Sequence, residues 1–264
     1  MKGRVLIIAG SDSGGGAGIQ ADIKTVTALN AFAMTAITAL TAQNTLGVHG
    51  VLPVPPDFLR LQMECVLDDL GADAIKTGML GDSATVRLVA EILTARAAGL
   101  PIVVDPVMVA KGGASLLADE AVTAVRDILL PMATLLAPNA PEAETLTGLR
   151  IATPADLRQA GAALLRMGAK AVLMKGGHLE GDDLTDILIT PQGEHIFTAP
   201  RIQTRHTHGT GCTLASACAA GLAQNLPLQE AVARAHAYVQ AAIATAPGYG
   251  AGHGPLNHAH TVKP

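Results

Sequence analysis

The segment His208-Gly209-Thr210-Gly211-Cys212-Thr213 leads directly into the small, apolar run Leu214-Ala215-Ser216-Ala217. A glycine-rich turn that opens a helix presents successive backbone N–H groups, which form an anion site together with the helix dipole. Glycine also lets the backbone approach a phosphate closely. Cys212 falls in the first helical turn, where a thiol pKa is expected to be lowered. The competing reading is a small-residue packing contact around an inert buried cysteine. Spacing alone leaves both open.

Other polar residues follow short apolar runs. Gly10-Ser11-Asp12, Gln43-Asn44, Gly78-Met79, Asp105-Pro106, Asn139 with Glu142, and Lys175-Gly176-Gly177 each take such a place. Ligands of a doubly wound α/β sheet bind at the carboxyl ends of its strands. Any one of these could be an ordinary strand-to-helix turn, but six at one sheet edge point to a site. No G-x-x-x-x-G-K-[ST] and no G-x-G-x-x-G occurs, which excludes a P-loop and disfavours a dinucleotide fingerprint. Gly14-Gly15-Gly16-Ala17-Gly18 is either a flexible loop or one that closes over a substrate. His178, His206 and His208 titrate in a useful range, though loop histidines more often serve as hydrogen-bonding residues.

The elements that must carry these residues alternate. Val5 to Ala9, Met34 to Ala42, Ala74 to Thr77, Ile102 to Val104, Leu135 to Ala137 and Ala171 to Met174 read as strands. Helical patterns cover Ala17 to Asn30, Asp57 to Leu70, a segment from Asp82 or Ser83, and Asp119 to Leu130. Thr153-Pro154-Ala155-Asp156 opens another, with a capping Thr, a first-turn Pro and an acidic residue at the positive dipole end. Residues 184 to 199 break the alternation and read as a hairpin turning at Pro191-Gln192-Gly193. Two Ala-rich helices, Thr210 to Gln224 and Leu228 to Ala246, precede a Gly-rich loop. The expected fold is α/β, a mostly parallel sheet with helices on both faces and a small β-hairpin, in one domain spanning 1–264.

Composition narrows the class. The 264 residues are 49% hydrophobic but only 2% aromatic, with a formal charge of −4. A nucleic-acid partner needs a basic face, and no run of Lys or Arg is present. Cys65, Cys212 and Cys218 have neither an even count nor CxxC spacing, so reduced thiols are expected. No stretch approaches the ~18 apolar residues of a membrane span. A cytoplasmic, soluble protein is the expectation.

Several blocks together carry a family resemblance. Asn139-Ala140-Pro141-Glu142, Lys175-Gly176-Gly177-His178 and His208-Gly209-Thr210-Gly211-Cys212 resemble the ribokinase-like superfamily. Within it, Ala9-Gly10-Ser11-Asp12-Ser13-Gly14-Gly15-Gly16-Ala17-Gly18, Thr38-Ala39-Leu40-Thr41-Ala42-Gln43-Asn44-Thr45 and Gly250-Ala251-Gly252-His253-Gly254-Pro255-Leu256 are similar to the hydroxymethylpyrimidine and phosphomethylpyrimidine kinases of thiamine biosynthesis. Cys212 stands where most sugar kinases of the superfamily carry Asp. The resemblance implies ATP-dependent phosphorylation of a hydroxymethylpyrimidine and then of its monophosphate, with Mg²⁺. It implies Cys212, Gly209 and Gly211 at the transferring group, and Lys175, Thr210 and Asn139 at ATP. Glu142 and Asp105 would serve the metal, with Gln43, Asp12, Ala17, Met79 and Val107 around the pyrimidine. Taken alone, Met79 reads as plain core packing. A homodimer is implied, with an exposed part of the sheet or the 184–199 hairpin as its edge. The alternatives are a pyridoxal or pyridoxine kinase of the same fold and a non-catalytic nucleotide-binding relative.

Overall fold

The computed structural model describes residues 2–108, 119–179 and 181–262. It contains a nine-stranded sheet in the order β3-β2-β1-β4-β5-β6-β7-β8-β9. The strands are β1 (Arg4–Asp12), β2 (Phe32–Asn44), β3 (Gly47–Pro53), β4 (Ala74–Thr77), β5 (Ile102–Val104), β6 (Leu135–Leu136), β7 (Val172–Met174), β8 (Asp183–Thr190) and β9 (Gly193–Pro200). The six central strands pair in parallel, whereas β3, β8 and β9 are antiparallel. The mostly parallel sheet and its terminal hairpin agree with the expected class.

Period-two alternation sends side chains to two cores. Leu6, Ile8, Ile75, Ile102 and Val104 face one layer, built by α2 (Pro56–Cys65), α3 (Ser83–Arg96), α4 (Asp119–Ala124), α5 (Ala140–Thr147) and α6 (Pro154–Arg166). Val5, Ile7, Ala9, Val103 and Leu135 face the other, built by α1 (Gly18–Ala28), α7 (Thr210–Ala223) and α8 (Leu228–Ala244). With few aromatic rings, the second core relies on alanines of α7 and α8, such as Ala215, Ala219, Ala235 and Ala242. Small side chains let these helices lie close, at the ordinary packing density of protein interiors.

Local chemistry sets the helix boundaries. Asp82 caps α3 by accepting the Thr85 N–H at 2.7 Å. Thr153 and Asp156 form a reciprocal capping box at α6, as its sequence foretells. The patterns read over Asp57 to Leu70 and Asp119 to Leu130 are each helical but not uniformly α. They pass into π-helical turns at Val66–Leu70 and Val125–Leu129.

Two elements are absent from the sequence reading. The antiparallel strand β3 extends the sheet beyond β2, and α5 opens behind Asn139. Both β1 and β2 change register near the cleft, between Ala9 and Ser11 and between Ala42 and Gln43. Such shifts re-aim side chains beside sites. A Gly-rich strap, residues 248–255, crosses the same edge. His253 N–H bonds Thr45 O at 2.9 Å, and His208 N–H bonds Gly254 O at 3.1 Å. A Cβ at Gly252 would collide with the Thr45 carbonyl, so the strap needs glycine there.

Candidate active site

The carboxyl ends of the parallel strands open on one cleft of about 530 Å³. All six strand-end segments singled out from sequence reach it, as does the start of α7. Gln43, Asp12, Ala17, Met79 and Val107 line one part. Lys175, Asn139, Glu142, Asp105, Gly209, Thr210, Gly211 and Cys212 line the adjoining part.

The start of α7 has the geometry of an anion cradle. Gly209 is left-handed (φ 84°), and a Cβ there would strike the Gly16 carbonyl oxygen, so only glycine fits. Thr213 N–H bonds back to Gly209 O at 2.9 Å. Ahead of it, no backbone acceptor among the described residues takes the Gly211 and Cys212 N–H groups. A Cβ at Gly211 would stand 3.2 Å from Lys175 Nζ, so glycine lets the ammonium lie close against the helix start.

Three neighbouring strands assemble the charged group. Asp105 follows β5, Asn139 follows β6 and Lys175 follows β7. Lys175 Nζ donates to Asp105 Oδ1 at 3.0 Å and lies 3.9 Å from Glu142 Oε2. Burial works against the Lys175 ammonium, but Asp105 and Glu142 outweigh it and hold its pKa up at about 12. Burial also pushes the Glu142 carboxyl up to about 7, against the pull of Lys175 and with a further push from Asp105. Asn139 and Glu142 cap α5 reciprocally, which fixes this carboxylate at the cleft.

Among the described residues, no group of three or more His, Cys, Asp or Glu side chains is arranged to hold a metal ion. Asp105 and Glu142 make a sparser pair. That set fits Mg²⁺, which retains several waters and takes further ligands from phosphate oxygens.

The other part of the cleft is knit by Asp12. Its carboxylate accepts N–H groups from Gly14 (2.8 Å), Gly16 (3.1 Å) and Ala17 (2.8 Å) and lies 2.9 Å from His208 Nε2. Burial alone would raise its pKa; the contacts with His208, Ala17 and Gly14 outweigh burial and hold the carboxyl below the usual range. Asp12 thus lines the cleft while its oxygens organise the glycine loop. His208 is a hydrogen-bonding residue here. Gln43 Nε2 lies 3.3 Å from the same imidazole nitrogen, and Gln43 Oε1 accepts from Thr41 Oγ1 at 3.1 Å. Met79 is half-buried on the cleft wall, where the bare Gly10 makes room for it.

One expectation is corrected. The helix start was expected to lower the Cys212 pKa. Instead burial pushes the thiol up to about 12, with Lys76 and the Gly18 N–H opposing and Asp105 and Asp22 reinforcing the rise. Desolvation of a thiolate outweighs a helix N-terminus at this position.

Lys76, on β4, is a cleft residue that the sequence reading passes over. A lysine inside a strand of otherwise buried residues is the signal that could have found it, because buried lysines demand a partner. That partner is Asp22.

Comparison with known proteins agrees with this geometry. The family model described as phosphomethylpyrimidine kinase matches residues 12–257. The chain is 49% identical to the hydroxymethylpyrimidine/phosphomethylpyrimidine kinase of Bacillus subtilis over 256 residues, covering 97% of this chain and 94% of that protein. It is 52% identical over 257 residues to the thiamine biosynthesis bifunctional protein ThiED of Geobacter sulfurreducens, covering 97% of this chain but spanning about half (52%) of that longer protein. The structure of the Staphylococcus aureus pyridoxal kinase in complex with AMP-PCP and pyridoxal superposes with a TM-score of 0.90. That match has 37% identity and covers 98% of this chain and 94% of the other.

Proposed function

The chain belongs to the phosphomethylpyrimidine kinase family, and we propose that it transfers the γ-phosphoryl of ATP to the hydroxymethyl group of 4-amino-5-hydroxymethyl-2-methylpyrimidine. The resulting monophosphate is its second acceptor. One observation carries this reading. The glycine-rich helix start, Lys175 and the Asp105–Glu142 pair share a single cleft with Gln43, Met79 and Val107, so donor and acceptor can meet.

In the transfer, the acceptor oxygen bonds to the γ-phosphorus as the bond to the β–γ bridging oxygen breaks, releasing ADP. The transition state is loose, so positioning and electrostatics dominate. The Gly209, Gly211 and Cys212 N–H groups face the equatorial oxygens, and Thr210 and Asn139 border the phosphates. Lys175 neutralises phosphate charge from the other side. Asp105 and Glu142 would hold Mg²⁺, which would supply further charge neutralisation. Gln43 hydrogen-bonds the pyrimidine, Met79, Val107 and Ala17 pack against it, and Asp12 keeps the glycine loop in place. Cys212 is a protonated thiol at rest, and only after its own proton leaves can its sulfur receive the one that the alcohol loses. A monophosphate oxygen has no such proton to lose.

The whole chain acts as one kinase domain in the cytoplasm, in keeping with its three unpaired cysteines. Among the described residues, no helix is long and apolar enough to cross a membrane. It forms a homodimer through the β3 edge. Support comes from exposed Leu46, Val51 and Leu52 in β3 and the turn before it, a concentration of apolar surface that marks interaction sites.

The second reading, a pyridoxal kinase, rests on the likeness to the Staphylococcus aureus enzyme. ADP release with hydroxymethylpyrimidine, with pyridoxal and with neither separates the two. Release with pyridoxal alone would favour the second reading. No acceptor-dependent release would point to a nucleotide-binding relative.

A further inference from the structure

A buried ion pair lies beneath the glycine-rich turn. Lys76 Nζ meets Asp22 Oδ2 at 2.9 Å and Oδ1 at 3.1 Å, and neither side chain has any exposure. Ser216 Oγ donates to Asp22 Oδ1 at 2.7 Å. The three residues come from β4, α1 and α7. Desolvation offsets most of the attraction in such a pair, so stability alone does not account for it.

The placement of the pair is informative. Lys76 lines the cleft, whereas Asp22 and Ser216 do not. Its ammonium occupies the space left by Gly78, where a Cβ would stand 2.9 Å from Nζ. Ser216 follows Cys212 by one helical turn, so the two share a face of α7. Lys76 and Cys212 thus border the same cleft, with Asp22 and Ser216 behind the lysine.

We propose that Lys76 is a positioning residue for phosphoryl transfer: Asp22 and Ser216 fix its ammonium under the glycine-rich turn, where it stabilises negative charge at the Cys212 sulfur. Burial of the thiol, Asp105 and Asp22 all act against that charge, and the Gly18 N–H acts with Lys76. Lys175 Nζ lies against the neighbouring Gly211, where a Cβ would stand 3.2 Å from it, and also feels the charge at Cys212. The link to catalysis rests on the function proposed above; the effect on the sulfur does not.

Alkylation of Cys212 by iodoacetamide in the unliganded protein tests the effect directly. A Cys65→Ser background leaves Cys212 as the accessible thiol, because Cys218 is fully buried. Lys76→Met should slow alkylation at least tenfold, and Asp22→Asn should accelerate it several-fold. A merely structural role would move both variants in the same direction by loosening the site. Should Asp22→Asn fail to fold around its unpaired ammonium, Lys76→Met/Asp22→Asn removes both charges, and it too should alkylate more slowly than the parent. Equal shifts in the two single variants, or a parental rate in a cooperatively melting double variant, would overturn the proposal. Lack of activity on hydroxymethylpyrimidine would leave these rates unchanged, so failure of the functional reading is distinguishable.

Discussion

Glu142 Oε2 accepts the Asn139 backbone N–H at 2.8 Å, while Asn139 Oδ1 accepts the Glu142 N–H at 2.9 Å. One reciprocal pair thus starts α5 and holds a buried carboxyl at the cleft, close to Lys175. Helix initiation and charge placement are the same structural act.

That burial has a pH signature. The Glu142 pKa rises from 4.5 to about 7 in the folded protein. Between those values the native state keeps a proton that the unfolded chain has released, so this group's contribution to stability falls as pH rises. Glu142→Gln retains an acceptor for the Asn139 N–H and removes the charge. It should stabilise the protein by about 1–2 kcal/mol at pH 8 and change little at pH 4.5, while lowering kcat/KM. Urea unfolding at the two pH values checks this; an equal effect at both would show that Glu142 is ionised throughout.

Gln43 presents an amide to the acceptor end of the cleft. Gln43→Ala should raise KM for the pyrimidine about tenfold, the cost of roughly one lost hydrogen bond, and leave KM for ATP within twofold. Steady-state kinetics with each substrate varied is the measurement. A matching rise in both constants would assign Gln43 to loop structure.

Cys212→Ala should slow phosphorylation of the alcohol at least tenfold more than phosphorylation of the monophosphate, because only the alcohol must lose a proton. Separate assays of the two steps decide the matter. Equal losses would leave Cys212 a structural role only.

Leu52 is 65% exposed on β3. If the β3 edge is the dimer interface, Leu52→Glu should convert the dimer to a monomer in sedimentation velocity. Ile196→Glu on β9 serves as the control for the opposite edge and should leave the dimer intact.

The layered fold was legible because its central strands are mostly apolar and its helices carry caps at Asp82 and Thr153. The short α5 was not, because its first turn, Ala140-Pro141-Glu142, reads equally well as a loop after Asn139. Nor was β3, whose exposed residues lack an alternating buried face. Every residue to which the resemblance gives a role lines the cleft, because the strand ends converge there with the start of α7, whereas His206 does not line it. The raised pKa of Cys212 and the burial of Lys76 were hidden for one reason: both depend on residues distant in sequence, Asp22 among them, and on how much water the fold excludes.

The strap at residues 248–255 binds Thr45 on one side and His208 on the other. In time as well as in space it is a late component. A chain is synthesised from its N-terminus, and this strap leaves the ribosome after every strand and helix of the cleft. Until it docks, the chain at Thr45 and the glycine-rich turn at His208 lack their shared tie. A nascent kinase could therefore hold all its reactive groups and still be unready to work.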